Sequence, residues 1–285
     1  MAAVEFTKST LQEICQKDGL YRTASLNDKL YLHYRGFKKI DGTVLGEYSG
    51  LRCLWLQGNS LVKIEGLENL TQLRTLCLHE NVIDTIQGLE TLVLLQSLNL
   101  SKNFIRNVEN LSKLTKLESL DLGHNSIGPD ATQLEHLLEL PSLQTLDIQA
   151  NRLEEGEKVL GIVKRLESLR VLYCMGNPFV KSVRHYRKRF VSATSELRYL
   201  DDRPVFEDER RRCSAWSAAL AVQGASLEDA NAAERDEIQK IREERRLLDR
   251  QRIKDFETMI RNAKENALPP PPDKNSQYVD VDELD

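Results

Sequence analysis

Residues 51–59 read LRCLWLQGN. The same nine-residue frame returns as LRTLCLHEN (73–81), LQSLNLSKN (95–103), LESLDLGHN (117–125), LQTLDIQAN (143–151) and LRVLYCMGN (169–177). Its closing asparagines, Asn59, Asn81, Asn103, Asn125, Asn151 and Asn177, stand 22, 22, 22, 26 and 26 residues apart. Six copies of LxxLxLxxN in register identify an internal repeat. The first, fourth and sixth positions point inward from a short strand and its lead-in turn. The third, fifth and seventh point to the opposite face. One copy cannot bury its own leucines, whereas stacked copies share a parallel sheet and one continuous core. Each asparagine side chain is expected to hydrogen-bond turn backbone that burial would otherwise leave unpaired. Further inward residues follow each frame: Leu61, Ile64, Leu67 and Leu70 in the first copy, Ile105, Val108, Leu111 and Leu114 in the third. A 22-residue period leaves room for a short turn of helix on the convex side. The 26-residue copies can hold a full α-helix there, predicted at Ala131–Leu140 and Glu155–Arg165. Cys174 occupies a leucine slot and reads as a small buried hydrophobe.

The repeat explains where the leucine lies. Of 45 leucines in 285 residues, 31 fall between Leu51 and Leu172. The organisation predicted around it is an N-terminal cap and half-repeat (1–50), six repeats (51–179), a C-terminal cap (180–222), a charged helix (223–268) and an acidic tail (269–285). In the N-terminal cap a helix is expected over Ser9–Gln16, starting at Ser9 or Thr10, and an edge strand within Leu30–Ile40. In the C-terminal cap Val183, Tyr186, Phe190, Leu197 and Leu200 are placed to cover the last repeat, followed by a helix over Phe206–Leu220 carrying Trp216. Gln223–Ser226 reads as a joint. Between Glu234 and Asn266, 19 of 33 residues are charged and the apolar residues keep no strict heptad. That pattern fits a solvated helix, with a weak coiled coil or a partner-binding helix as the alternative. Pro269–Pro272 should end it, and the tail beyond is expected to be disordered. The fold class is an α/β solenoid: a right-handed horseshoe with a parallel concave sheet, helical caps and a C-terminal charged helix.

The same composition excludes several function classes. With 40 Lys+Arg against 44 Asp+Glu the net charge is −4, which argues against wholesale nucleic-acid binding. The basic run Lys181–Arg189 is read as the solvated side of a helix whose Tyr186 faces the core. No stretch approaches the apolar length of a membrane helix. MAAVEFTKST shows no secretory pattern, and the final DELD is neither a retention nor a prenylation signal. Five scattered cysteines point to a reducing compartment. No phosphate-binding glycine loop, HExxH, GxSxG or kinase set is present, so neither enzyme activity nor a cofactor is expected. The candidate site is therefore the concave face. Its fifth positions are Trp55, Cys77, Asn99, Asp121, Asp147 and Tyr173, and His79 stands among the seventh positions. Asp121 and Asp147 should lie on neighbouring strands, about 4.8 Å apart. On an open, wet sheet such a pair lacks the pocket and nucleophile that acid–base chemistry needs. It reads as a docking point for a partner's Lys or Arg, or as a solvated patch. Cys53, Cys77 and His79 make three mixed zinc ligands without a fourth, so they read as neutral lining and no metal is expected. Trp55 either packs on the N-terminal cap or anchors a partner.

Two further segments carry a resemblance. LYRTASLNDKLYLHYRGFKKI (20–40) followed by LRCLWLQGNSL (51–61) resembles the start of the dynein axonemal assembly factor 1 family of leucine-rich repeat proteins. VLYCMGNPF (171–179), then Tyr186–Arg187, LRYLDDRPVF (197–206) and Ala215–Trp216, is similar to that family's last repeat and cap. The likeness spans roughly residues 5–220. It implies a non-enzymatic scaffold in the cytoplasm, acting in preassembly of axonemal dynein arms and in cilium or flagellum motility, with some members associated with the axoneme; the repeat domain itself is expected to be monomeric. Implied partners are dynein chains, chaperones and co-assembly factors, and neither nucleic acid nor membrane. The chain departs from the animal members in lacking their long C-terminal extension, and residues 224–285 match nothing in the family. A compact member from a flagellated single-celled organism, or a shortened isoform, accounts for both. The alternatives are a general leucine-rich adaptor, regulating a protein phosphatase or binding tubulin, and a structural axonemal protein.

Overall fold

The computed structural model describes residues 4–265. The chain divides into two units at Glu234/Arg235, and each is described by itself.

The first unit is a solenoid. Three-residue strands recur once per repeat: β2 Cys53–Trp55, β3 Thr75–Cys77, β4 Ser97–Asn99, β5 Ser119–Asp121, β6 Thr145–Asp147 and β7 Val171–Tyr173. The half-repeat adds β1, Lys29–Tyr31, ahead of them. Each strand pairs in parallel with the next, position for position, so that Leu30, Leu54, Leu76, Leu98, Leu120, Leu146 and Leu172 form one buried row. The sheet does not stay parallel to its end. Tyr199–Leu200 (β8) extends the parallel ladder, and Arg203–Pro204 (β9) turns back on it antiparallel. The segment LRYLD keeps the LxxL spacing of a truncated seventh repeat, and that spacing is the signal for β8.

The convex side follows the period of its apolar residues. Ala131, Leu134, Leu137 and Leu140 recur every third residue and all are buried. A period of three is that of a 3₁₀-helix, and residues Ala131–Glu139 form one. This corrects the α-helix expected at Ala131–Leu140. In the next repeat Val159, Ile162, Val163 and Leu166 mix spacings of three and four, and Gly156–Arg165 is α-helical (α3 below).

The caps close the core. Helix α1 runs Lys8–Lys17, earlier than the expected Ser9 start, because Thr7 caps it by accepting from the Thr10 amide. Its Leu11, Ile14 and Cys15 are buried. A single helical turn, α2 (Gly42–Leu45), follows with Asp41 as its cap. After α3, the far cap comprises α4 (Pro178–Ser182), α5 (Tyr186–Ala193) and α6 (Glu207–Leu220). Phe190, Leu197 and Leu200 are fully buried and Tyr186 packs against them. Lys181–Arg189 is broken by His185 at φ 54 and is not a solvated helix face. Arg187 holds Glu209 through two nitrogens at 2.7 and 2.8 Å and donates to the carbonyls of Leu200 and Pro204, each at 3.0 Å. Arg189 pairs with Glu157 and Lys188 with Glu234. The basic run thus clamps the cap by ion pairs. Trp216 is buried and donates to Asn231.

Helix α7 runs Leu227–Glu265 and begins seven residues before Glu234, where helical composition was predicted to start. Ser226 and Asp229 cap it reciprocally: the Asp229 amide donates to the Ser226 hydroxyl, and the Asp229 carboxylate accepts from the Ser226 amide and hydroxyl. In the second unit, residues 242–265 of this helix are exposed throughout. The proline run 269–272 and the acidic tail lie outside the described residues. None of the described helices is long and apolar enough to cross a membrane.

Candidate functional site

The lattice that positions the concave face is the asparagine ladder behind it. The Nδ2 of Asn103 donates to Leu100 of its own repeat and Leu78 of the repeat before, each at 3.0 Å, while its Oδ1 accepts from the Ile83 amide at 3.1 Å. Asn81, Asn125, Asn151 and Asn177 make the equivalent bonds, and Asn59 ties the first repeat to Leu32 and Phe37 of the half-repeat. The residue just before each asparagine turns through positive φ: Gly58, Glu80, Lys102, His124, Ala150 and Gly176. That turn sends each chain away from the sheet at the same place, so the third, fifth and seventh side chains of successive strands form straight rows.

The fifth row runs Tyr31, Trp55, Cys77, Asn99, Asp121, Asp147 and Tyr173, each in register with its neighbour. The structure therefore brings the predicted residues together on one half-buried face, and His79 stands beside them in the seventh row. Two members were missed. Tyr31 and His33 extend both rows onto β1. Their signal was LYLHY, whose Leu30 and Leu32 take the fourth and sixth slots of the frame. Trp55 stacks on Tyr31, with ring centroids 4.7 Å apart and planes 24° apart, so it lies against the half-repeat and still contributes to the face.

The two ends of the face differ in chemistry. At β1–β3 the rows are aromatic and imidazole. Nδ1 of His33, Oε1 of Gln57 and Nδ1 of His79 are shielded there and have no hydrogen-bond partner among the described residues. Burial holds the His79 imidazole below its usual pKa, favouring the neutral ring. Cys53, Cys77 and His79 do not assemble into a metal site; among the described residues no three His, Cys, Asp or Glu side chains do.

At β5–β6 the face is acidic. Asp121 and Asp147 are direct register partners. Gly123 is buried between them: a β-carbon built there would lie 3.1 Å from Oδ1 of Asp147 and 3.3 Å from Oδ1 of Asp121. Each carboxylate also caps its own strand end. Asp121 accepts from the Gly123 amide at 3.0 Å, and Asp147 from the Gln149 amide at 2.8 Å and the Gln149 side chain at 3.0 Å. Asn99 does the same for Ser101. Asp147 is less wet than an open sheet suggests. Desolvation pushes the Asp147 carboxyl up to about 6, with the Asp121 charge adding to it, against the lowering effect of the Gln149 amide. What the arrangement offers is negative charge in a half-buried trough, followed by Tyr173 on β7.

Two leucine-rich repeat families match the chain, one described as leucine-rich repeats in two copies over residues 49–91 and one as leucine-rich repeat over residues 91–227. A leucine-rich repeat-containing protein of Chlamydomonas reinhardtii, ODA7, is 58% identical over 210 residues, which is 74% of this chain and 48% of that protein. Human dynein axonemal assembly factor 1 is 53% identical over 211 residues, 74% of this chain and 29% of the human protein. The chain thus spans half or less of the length of these curated relatives. Among solved structures, a leucine-rich repeat protein of Leptospira interrogans aligns with TM-score 0.49 and 25% identity, covering 61% of this chain and 42% of that one.

Proposed function

The chain belongs to the leucine-rich repeat proteins of the dynein axonemal assembly factor 1 family, and from that premise we propose that it is a protein-binding scaffold for cytoplasmic preassembly of axonemal dynein arms. The observation that carries this reading is 58% identity over 210 residues to the algal relative, a stretch far longer than the leucine frame alone requires. The repeat frame fixes inward positions for any solenoid of this class, so agreement at this level must include outward-facing side chains. The scaffold is non-enzymatic and works in the cytoplasm on components destined for the cilium or flagellum. Its docking surface is the concave face, with Trp55 and Tyr31 as an apolar anchor and Asp121 and Asp147 as the acceptor for a partner's lysine or arginine. Dynein chains, chaperones and co-assembly factors are the partners proposed, and the repeat unit binds them as a monomer.

Deletion of the gene in a flagellated cell is the direct test. Loss of outer dynein arms from axonemes in electron micrographs is the expected result. Normal arms would overturn the assembly role in favour of a general adaptor. Affinity capture then separates the alternatives: dynein heavy chains and chaperones support the present reading, whereas a phosphatase catalytic subunit or tubulin supports an adaptor.

A further inference from the structure

Helix α7 carries a surface that the concave face does not use. Residues 245–264 read RRLLDRQRIKDFETMIRNAK, with seven Lys or Arg against three Asp or Glu, a net +4 in a chain whose total is −4. The segment is α-helical and every residue in it is exposed. At 3.6 residues per turn, Leu248, Ile253, Phe256, Met259 and Ile260 fall within an arc of about 140°, which Arg245, Asp249 and Arg252 interrupt. Arg246, Arg250, Lys254, Arg261 and Lys264 fall on an adjoining arc of about 80°, with Glu257 the one acidic residue of the segment among them. Leu247, 63% exposed, stands about 180° around the helix from Phe256, 58% exposed.

Three kinds of cover are open to such a helix, and the charges and the geometry select one. A second copy laid on the same segment would bring +4 against +4, and like charge opposes that pairing; the acidic half of α7, residues 228–244 at net −4, would suit an antiparallel partner by charge but already holds the buried Ala230 and Ile241. An anionic membrane would neutralise the basic arc but admit only one apolar face, leaving Leu247 in water when Phe256 is inserted. A protein groove that closes around the helix satisfies both anchors at once, and acidic rims on that groove neutralise the basic arc. Apolar anchors on opposite sides of a basic helix are what a two-lobed acidic clamp requires.

We propose that residues 245–264 form a docking helix for an acidic protein that closes an apolar groove around it, with Leu247 and Phe256 as its two anchors, the chemistry of a calcium-loaded EF-hand pair. The partner is recognised by net charge and by anchor spacing, independently of the concave face.

Calorimetric titration of the full chain with calcium-loaded calmodulin tests this. The expected result is one-to-one binding with Kd at or below about 1 μM, lost on calcium chelation. Leu247→Ser and Phe256→Ser, both at exposed positions, should each weaken binding by about tenfold or more with unchanged helical circular dichroism. Absence of binding, or binding that survives chelation or is indifferent to both substitutions, would overturn the proposal. Flotation of the full chain with phosphatidylserine vesicles, abolished by Phe256→Ser and untouched by Leu247→Ser, would overturn it in favour of a membrane. Sedimentation showing a dimer that Phe256→Ser dissociates would overturn it in favour of self-pairing.

Discussion

Two rows of side chains run the length of the same sheet, one residue type apart in purpose. The asparagine row is buried, from Asn59 to Asn177, and every member makes the same bonds to two successive repeats. The fifth row, Tyr31 to Tyr173, is half-buried and changes chemistry from strand to strand. The backbone lattice is common to both, so the difference comes from what each position must satisfy. A buried amide group has a fixed set of partners and tolerates one side chain. A half-solvated position on a sheet has none imposed on it and is free to match something outside the molecule.

The contrast sets an order of effects. Asn103→Ala should break the lattice. It strips partners from two buried carbonyls and the Ile83 amide, and a loss of about 3 kcal/mol or more is expected in urea unfolding. Asn99→Ala removes the cap on Ser101 in the fifth row, where water can replace it, and should cost about 1 kcal/mol or less. Equal losses at the two sites would erase the distinction between the rows.

The acidic pair gives a smaller and more local effect. Asp147 has its carboxyl raised from 3.8 to about 6. Below the lower value it is neutral in folded and unfolded chains alike. Between the two values the unfolded chain ionises first, so this residue makes stability fall as pH rises through that window, and the cost levels off above about 6. Carboxyl carbon NMR should find its midpoint near 6, and Asp121→Asn should lower that midpoint by removing the neighbouring charge. A midpoint near 4 in the parent chain would place Asp147 in open water. The smallest change belongs to the turn that aligns the rows. Ala150 holds φ 50, a conformation that glycine adopts without the steric cost of a β-carbon. Ala150→Gly should raise stability by about 0.5–1 kcal/mol, read as a rise in melting temperature. A fall would mean that the unfolded-state entropy of glycine outweighs the relieved strain.

Much of this was legible in the sequence because a period is a strong physical constraint. LxxLxLxxN placed six strands, the buried row and the concave row without further information, and LYLHY held the half-repeat strand. What escaped was set by contacts between segments distant in the chain. The basic run Lys181–Arg189 looked solvated because Glu157, Glu209 and Glu234, which pair with it, come from other elements. The helix at Ala131–Glu139 turned on whether apolar residues recur every three or at mixed spacings, a distinction that repeat length alone does not make. The surroundings of Asp147, with Gly123 and Gln149 against it, come from side-by-side packing of two repeats, and neither residue stands out in the frame. The concave face could be listed from the pattern, but what it holds could not, since nothing in the period prescribes a partner.

The most direct test of the concave face as a docking surface is a paired measurement on the double variant Asp121→Asn, Asp147→Asn. Dynein heavy chain recovered with the protein from a ciliated cell is measured together with the melting temperature of the purified chain. The expected result is recovery reduced by about tenfold or more, with a melting temperature equal to or slightly above the parent's. Undiminished recovery from a fully folded double variant would contradict the account.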